Sequence, residues 1–182
     1  MVERVELRTE RLLLRPFVLA DVEDALAYRD DPEFARYLPH VPQPFTRRDA
    51  EEFVARNVLE PWEKYATFAV VLDGKVIGSI SLEIDTSNEI AMLGYAIGRD
   101  HWGKGITPEA ARAAIDWGFQ VFNLAQIWAS TDARHERSWR VMEKLGMKRD
   151  ALLRSHGLAR GERIDAVWYE LLREEWEAHA RT

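Results

Sequence analysis

Apolar residues recur with a period of two through the middle of the chain and with a helical period on either side. Phe68 to Leu72 and Val76 to Ile84, joined by Asp73-Gly74, predict a β-hairpin. In its second strand Gly78, Ile80, Leu82 and Ile84 share one face, and Ser79, Ser81 and Glu83 share the other. Ile90 to Ile97 predicts a further strand. Leu7 to Arg15, closed by Pro16, predicts an opening one, and Ala125 to Ser130, Met147 to Ser155 and Ile164 to Leu172 predict three more. The last two are joined through the turn-rich Gly157 to Gly161. Helical spacing marks Asp21 to Arg29, a helix capped by Thr46 with Asp49 at the capping-box position, Pro108 to Phe122, Glu136 to Leu145 stopped by Gly146, and a polar tail. Between Asp31-Pro32 and Phe45, Pro39, Pro42 and Pro44 forbid regular structure and predict a shaped loop. The order is strand, helices, three strands, helix, strand, helix, two strands. It predicts a single α/β domain over 1–182, with one mixed sheet covered by helices.

Composition narrows the function classes. The 182 residues are 47% hydrophobic and 31% charged, an ordinary globular balance. A formal net charge of −6 argues against nonspecific nucleic-acid or anionic-membrane binding and is compatible with a cationic amine as acceptor. There are no cysteines, so disulfides, thiolate metal sites and cysteine nucleophiles are excluded. The five histidines, at 40, 101, 135, 156 and 179, show no ligand spacing, so no metal is expected. The charged start Met1 to Glu6 is unlike a signal peptide and no apolar run reaches the ~18 residues of a membrane span, so a cytoplasmic protein is expected.

The segment Gly98-Arg99-Asp100-His101-Trp102-Gly103-Lys104-Gly105-Ile106-Thr107-Pro108 lies between a predicted strand and a predicted helix. Gly103 and Gly105 permit positive φ and leave peptide N–H groups unshielded. Thr107 is the expected cap and Pro108 the expected first helical residue. Such a helix start, with Lys104 and Arg99 nearby, predicts an anion site for a pyrophosphate. A P-loop is excluded because Gly105 stands where a magnesium-binding Ser or Thr is required, and the dinucleotide fingerprint lacks its third glycine.

With these blocks in view, the chain resembles the GNAT superfamily, and within it the ribosomal-protein N-acetyltransferases. The resemblance rests on Leu7-Arg8-Thr9-Glu10-Arg11-Leu12-Leu13-Leu14-Arg15-Pro16, on Gly94-Tyr95 leading into Trp102-Gly103-Lys104-Gly105 and Thr107-Pro108-Glu109-Ala110, and on Ser138 to Met147. It implies the GNAT fold, a central mixed and mostly antiparallel sheet flanked by helices and splayed between the fourth and fifth strands. It also implies acetyl-CoA as cosubstrate. Pantetheine would pair with Ala96, Ile97 and Gly98, and pyrophosphate would sit on Trp102, Gly103, Lys104, Gly105, Ile106 and Thr107 beside Arg99. Two positions depart from the family pattern. Asp100 replaces a Gln or Arg, and His135 replaces an Asn that would contact the cofactor. The implied acceptor is a primary amine, either a protein N-terminus or a small amine. An acyl-CoA-binding regulatory module with little turnover is the alternative, and a homodimer is left open.

Transfer of acetyl to an amine needs a neutral amine, a polarised carbonyl and a protonated leaving thiolate. By the resemblance Ser138 would give the proton to sulfur; an ordinary helix-start hydrogen bond is the other reading of that residue. Tyr169 is a reserve acid or a core residue. Glu83 and His156 are candidate bases or plain surface residues. Trp62, Trp117, Trp139 and Trp168 are read as core, and Trp102 as part of the cofactor turn.

Overall fold

The computed structural model describes residues 2–180, with side-chain surroundings given through Ala178. The side chain of His179 lies outside the described residues. Eight strands form one sheet in the order β1-β2-β3-β4-β5-β6-β8-β7. They are β1 (Leu7–Arg8), β2 (Leu13–Pro16), β3 (Tyr65–Leu72), β4 (Lys75–Asp85), β5 (Ile90–Ile97), β6 (Gln126–Asp132), β7 (Lys148–Ala159) and β8 (Glu162–Leu172). Every neighbouring pair is antiparallel except β5 and β6, which are parallel. The helices are α1 (Val22–Arg29), α2 (Pro32–Ala35), α3 (Arg47–Leu59), α4 (Ile106–Phe122), α5 (Glu136–Lys144) and α6 (Arg173–Ala180).

Local chemistry explains most boundaries. At the β3–β4 turn Asp73 and Gly74 both take positive φ, 50° and 78°, the geometry that matches strand twist. The α3 capping box is complete, with Asp49 N–H donating to Thr46 Oγ1 and Thr46 N–H donating to Asp49 Oδ2 at 2.7 Å. Gly146, at φ 83°, ends α5.

The structure departs from the sequence pattern in several places. The expected single strand from Leu7 to Arg15 is a tight hairpin, with Leu7 opposite Leu14, because Thr9 Oγ1 accepts from Leu12 N–H and folds the chain back. The proline-rich segment holds one helical turn, α2, since Pro32 occupies its first position and Asp31 caps it through Glu33 N–H at 2.8 Å. Strand β7 runs on to Ala159, past an irregularity between Leu153 and Gly157, and the turn is confined to Arg160-Gly161. Trp139 and Trp168 are half-buried, unlike Trp62 and Trp117; Trp168 stacks on Trp128 at 3.9 Å.

The two sheet faces carry separate cores. Phe68, Ile80 and Leu82 pack on Ala111, Ala114, Ile115 and Phe119 of α4, and Trp62, Phe68 and Trp117 meet edge to face. On the opposite face Ala69 and Val71 pack on Ala25 and Tyr28 of α1 and on Phe53 and Val54 of α3. Among the described residues no helix is long and apolar enough to cross a membrane.

Candidate active site

The site begins with an interrupted pairing. Strands β5 and β6 are in register only at Ile90, Ala91 and Met92, opposite Gln126, Ile127 and Trp128. Beyond Met92 they separate. Gly98 N–H donates to Ile77 O at 2.7 Å, so Gly98 and Ala96 direct their main-chain groups toward β4. By strand alternation Leu93, Tyr95 and Ile97 direct theirs into the opening. The indole N–H of Trp102 donates to Ile97 O at 2.7 Å and closes its upper end.

A glycine turn follows. Gly103 and Gly105 have φ of 73° and 75°. A Cβ on Gly103 would meet nothing within 4 Å, and one on Gly105 only Arg11 Nη2 at 3.4 Å. The bare peptide groups therefore face open space that a side chain would fill. From Gly103 to Thr107 no N–H donates to a main-chain carbonyl among the described residues. Gly105 occupies the N-cap position and its carbonyl already accepts from Glu109 N–H at 3.3 Å. The helix thus starts at Ile106, and Thr107 is its second residue rather than its cap. Pro108 still falls within the first turn, where its missing N–H has no consequence.

Distant residues hold the turn in place. Thr9 Oγ1 donates to Glu109 Oε1 at 2.5 Å, and Arg11 reaches both carboxylate oxygens of Glu109 and donates to Lys104 O at 2.9 Å. The hydrogen bonds from Thr9 and Arg11 outweigh partial burial and keep the Glu109 carboxyl below its ordinary range. The Arg137 guanidinium lies 4.3 Å from the Trp102 ring centroid.

Across the opening Tyr95 and Ser138 meet. The Tyr95 hydroxyl donates to Ser138 O at 2.8 Å and lies 3.0 Å from Ser138 Oγ. Ser138 is buried on α5, and burial, only partly offset by the Ser138 contact, pushes the Tyr95 phenol well above its usual range. Sequence reasoning named Ser138 but gave Tyr95 no chemical role. Its position in a strand leading to the glycine turn was the available signal.

The remaining sequence candidates are dispersed. Ala96 lines the cleft, while Gly98 is held against Tyr28 so closely that a Cβ would lie 2.9 Å from that residue's Cβ. Ile106 is buried in the core, so only its peptide group is presented. Arg99 and Lys104 are exposed, with Arg99 3.9 Å from Asp31, and Asp100 is exposed as well. His135 stacks on Tyr37 at 4.1 Å, with Nδ1 3.3 Å from Thr131 Oγ1. Desolvation, reinforced by Arg137, lowers its pKa to about 4, so the ring is neutral at pH 7. Glu83 and His156 are exposed and outside the cleft lining. Tyr169 is buried and hydrogen-bonds Glu143 at 3.3 Å.

The opening continues into a cleft of about 1320 Å³ on the α1–α3 face. Thr67, Ser79, Ser81, Gly94 and Ala96 form its floor. Arg160, at the β7–β8 turn, donates to Ala35 O at 3.0 Å and Val41 O at 3.1 Å, tying that hairpin to the loop after α2. Among the described residues no His, Asp and Glu side chains gather into a metal-binding group.

Known proteins share this fold. The family model described as an acetyltransferase (GNAT) domain matches residues 11–148. The N-acetyltransferase p20 of Bacillus licheniformis, itself uncharacterized, is 34% identical over 175 residues, 93% of this chain and 97% of its own. The crystal structure of a GNAT-family acetyltransferase from Bacillus anthracis aligns with a TM-score of 0.85 at 29% identity, covering 94% of this chain and 100% of that one. The microcin C7 self-immunity acetyltransferase MccE, solved with acetyl-CoA and AMP, shares the fold at a TM-score of 0.83 and 18% identity, over 90% of this chain and 93% of its own.

Proposed function

The chain belongs to the GNAT acetyltransferase family, whose cosubstrate is acetyl-CoA, and from that premise we propose that its acceptor is a primary amine taken up in the cleft between α1, α3 and the β7–β8 hairpin. One observation carries the reading: β5 and β6 part after Met92 and leave the peptide N–H groups of Tyr95 and Ile97 without a strand partner, just ahead of the Gly103–Gly105 turn. Acetyl-CoA supplies the activated acyl group when bound, and the chain supplies the binding, alignment and proton handling.

The N–H groups from Gly103 to Thr107, at the positive end of α4, suit the pyrophosphate. Those of Tyr95 and Ile97 suit the amide-bearing arm, as a third strand would. The expectation that Ala96 and Gly98 pair with that arm gives way to Tyr95 and Ile97, because alternation turns the former two toward β4. Ser138 is the candidate proton donor, oriented by Tyr95. Glu83 and His156 are exposed and outside the cleft lining, so neither is assigned the base.

A neutral imidazole at His135 with a pKa of about 4 is a weak proton acceptor. An amine of pKa about 7.7–8.0, such as a peptide N-terminus, therefore asks less of the site than a lysine-like amine near 10.4. The α-amine of a peptide or amino acid is the acceptor we favour, and ribosomal-protein N-termini fall within that class.

Thiol release from acetyl-CoA, measured across α-amines and alkylamines, tests the reading. Turnover with α-amines at neutral pH is expected. Tight acetyl-CoA binding without turnover on any amine would instead describe a regulatory module.

A further inference from the structure

Arg29 ends α1 and is 5% exposed. Its guanidinium carbon lies 3.9 Å from the ring centroid of Phe53, 5.2 Å from that of Phe45 and 5.6 Å from that of Phe34. Aromatic faces replace water above the guanidinium plane but offer its in-plane N–H groups no acceptor, and the Tyr28 ring lies 5.9 Å away. Its Nε is buried without a hydrogen-bond partner.

The neighbouring carboxylates are engaged elsewhere. Asp30 accepts from Phe45 N–H at 3.1 Å, Glu33 pairs with Arg36 at 3.5 Å, Asp49 caps Thr46 and Glu52 pairs with Arg48 at 2.9 Å. Among the described residues no carboxylate forms an ion pair with Arg29. The contrast with Arg15 is informative. That guanidinium is matched by both oxygens of the buried Asp21, at 2.7 and 2.8 Å. Arg15 has a counter-charge and Arg29 has none among the described residues.

Arg29 instead lines the cleft, as do Arg56 and Thr67, and the Thr67 hydroxyl is likewise buried without a partner. Arg29, His40 and Arg56 line one cleft, and desolvation, then the charges of the two arginines, lower the pKa of His40. A buried cation with an unpaired donor is stabilised by an oxyanion that completes it, and a guanidinium does so with two parallel hydrogen bonds.

We propose that Arg29 forms a subsite for an oxyanion, a carboxylate or a phosphate, carried by the acceptor amine. The proposal rests on the acetyl-transfer reading and specifies its acceptor: an amine bearing a negative group, in place of a purely cationic polyamine.

The test uses the whole protein with acetyl-CoA. ω-Amino carboxylates of increasing chain length are each compared with their amides, and O-phosphoethanolamine with ethanolamine. At one chain length, or with the phosphate, kcat/KM should favour the anionic member by at least about tenfold, and the pair that responds identifies the oxyanion. Arg29→Gln should reduce that preference to within about twofold by raising the acceptor KM, with acetyl-CoA affinity unchanged. Calorimetric binding of the same pairs in the presence of coenzyme A gives a readout that needs neither turnover nor a folded variant. A binding preference without any turnover would sink acetyl transfer and leave the subsite standing. Equal binding and equal rates within every pair would overturn the subsite alone.

Discussion

The hydroxyl of Tyr95 lies within hydrogen-bond distance of two atoms of one residue, 2.8 Å from Ser138 O and 3.0 Å from Ser138 Oγ. A carbonyl only accepts, so the phenolic proton goes to Ser138 O and the serine proton is left to point at the phenol oxygen. Tyr95 thus fixes both the start of α5 and the direction of the one mobile proton at the opening.

Removing each hydroxyl separates these roles. Ser138→Ala should lower kcat by roughly 10²-fold if the serine is the proton donor, with acetyl-CoA affinity nearly unchanged. Tyr95→Phe loses a hydrogen bond worth about 1 kcal/mol of stability and frees the serine rotor, so kcat should fall less than in Ser138→Ala. Stopped-flow thiol release and equilibrium titration read the two quantities. Equal losses of turnover and affinity in Ser138→Ala would make it a binding residue.

The glycine turn has a different signature. Gly105 combines φ of 75° with an open approach to its peptide group. Gly105→Val places a β-branched residue in the left-handed region, at about 1–2 kcal/mol of stability, and screens the amides of the α4 start. Titration with coenzyme A should show affinity reduced at least about tenfold, while the circular dichroism of the fold is kept. An unaltered coenzyme A affinity would mean that the phosphates lie elsewhere.

What was legible in the sequence is what neighbouring residues decide. The Thr46–Asp49 box, the Asp73-Gly74 turn and the Gly103-Lys104-Gly105 turn all involve residues within a few positions, and each forms in the structure. What was missed depends on contacts far apart along the chain. Tyr95 and Ser138 are 43 residues apart, and Thr9 and Glu109 are 100 apart. No periodicity records such pairings. The misplaced start of α4 has a local origin instead. Thr107 and Pro108 look like a cap and first residue, but the positive φ of Gly105 turns the chain into the helix two residues sooner. In the sequence Arg29 only ends a predicted helix, because the rings that bury it come from α2, α3 and the intervening loop.

His135 makes a prediction in pH. Its folded pKa, about 4, lies below the roughly 6.5 of an unfolded histidine. The unfolded chain therefore binds the proton more readily. The stability tied to the neutral ring is intact above pH 6.5 and is lost as pH falls through that value toward about 4. Nuclear magnetic resonance titration of the imidazole should give a midpoint near pH 4, and His135→Asn should flatten the stability profile in this window. A midpoint near 6.5 would show that the ring is not desolvated between Tyr37 and the start of α5.

Arg160 tests whether the roof of the cleft is shared between distant segments. Its guanidinium bridges the carbonyls of Ala35 and Val41, more than 100 residues away, and at φ 48° its backbone turns the β7–β8 hairpin toward them. Arg160→Ala removes both bonds and leaves the glycine turn, Tyr95 and Ser138 untouched. The segment from Arg36 to Val41 should then exchange its amide hydrogens faster, since the Val41 packing and the Tyr37–His135 stack would be left to hold it without the two arginine bonds. Acceptor KM should rise several-fold while coenzyme A affinity stays constant, because only the acceptor side of the cleft is opened. If exchange in that segment is unchanged, the loop is held by the α2 turn and its own packing, and the hairpin contributes no roof.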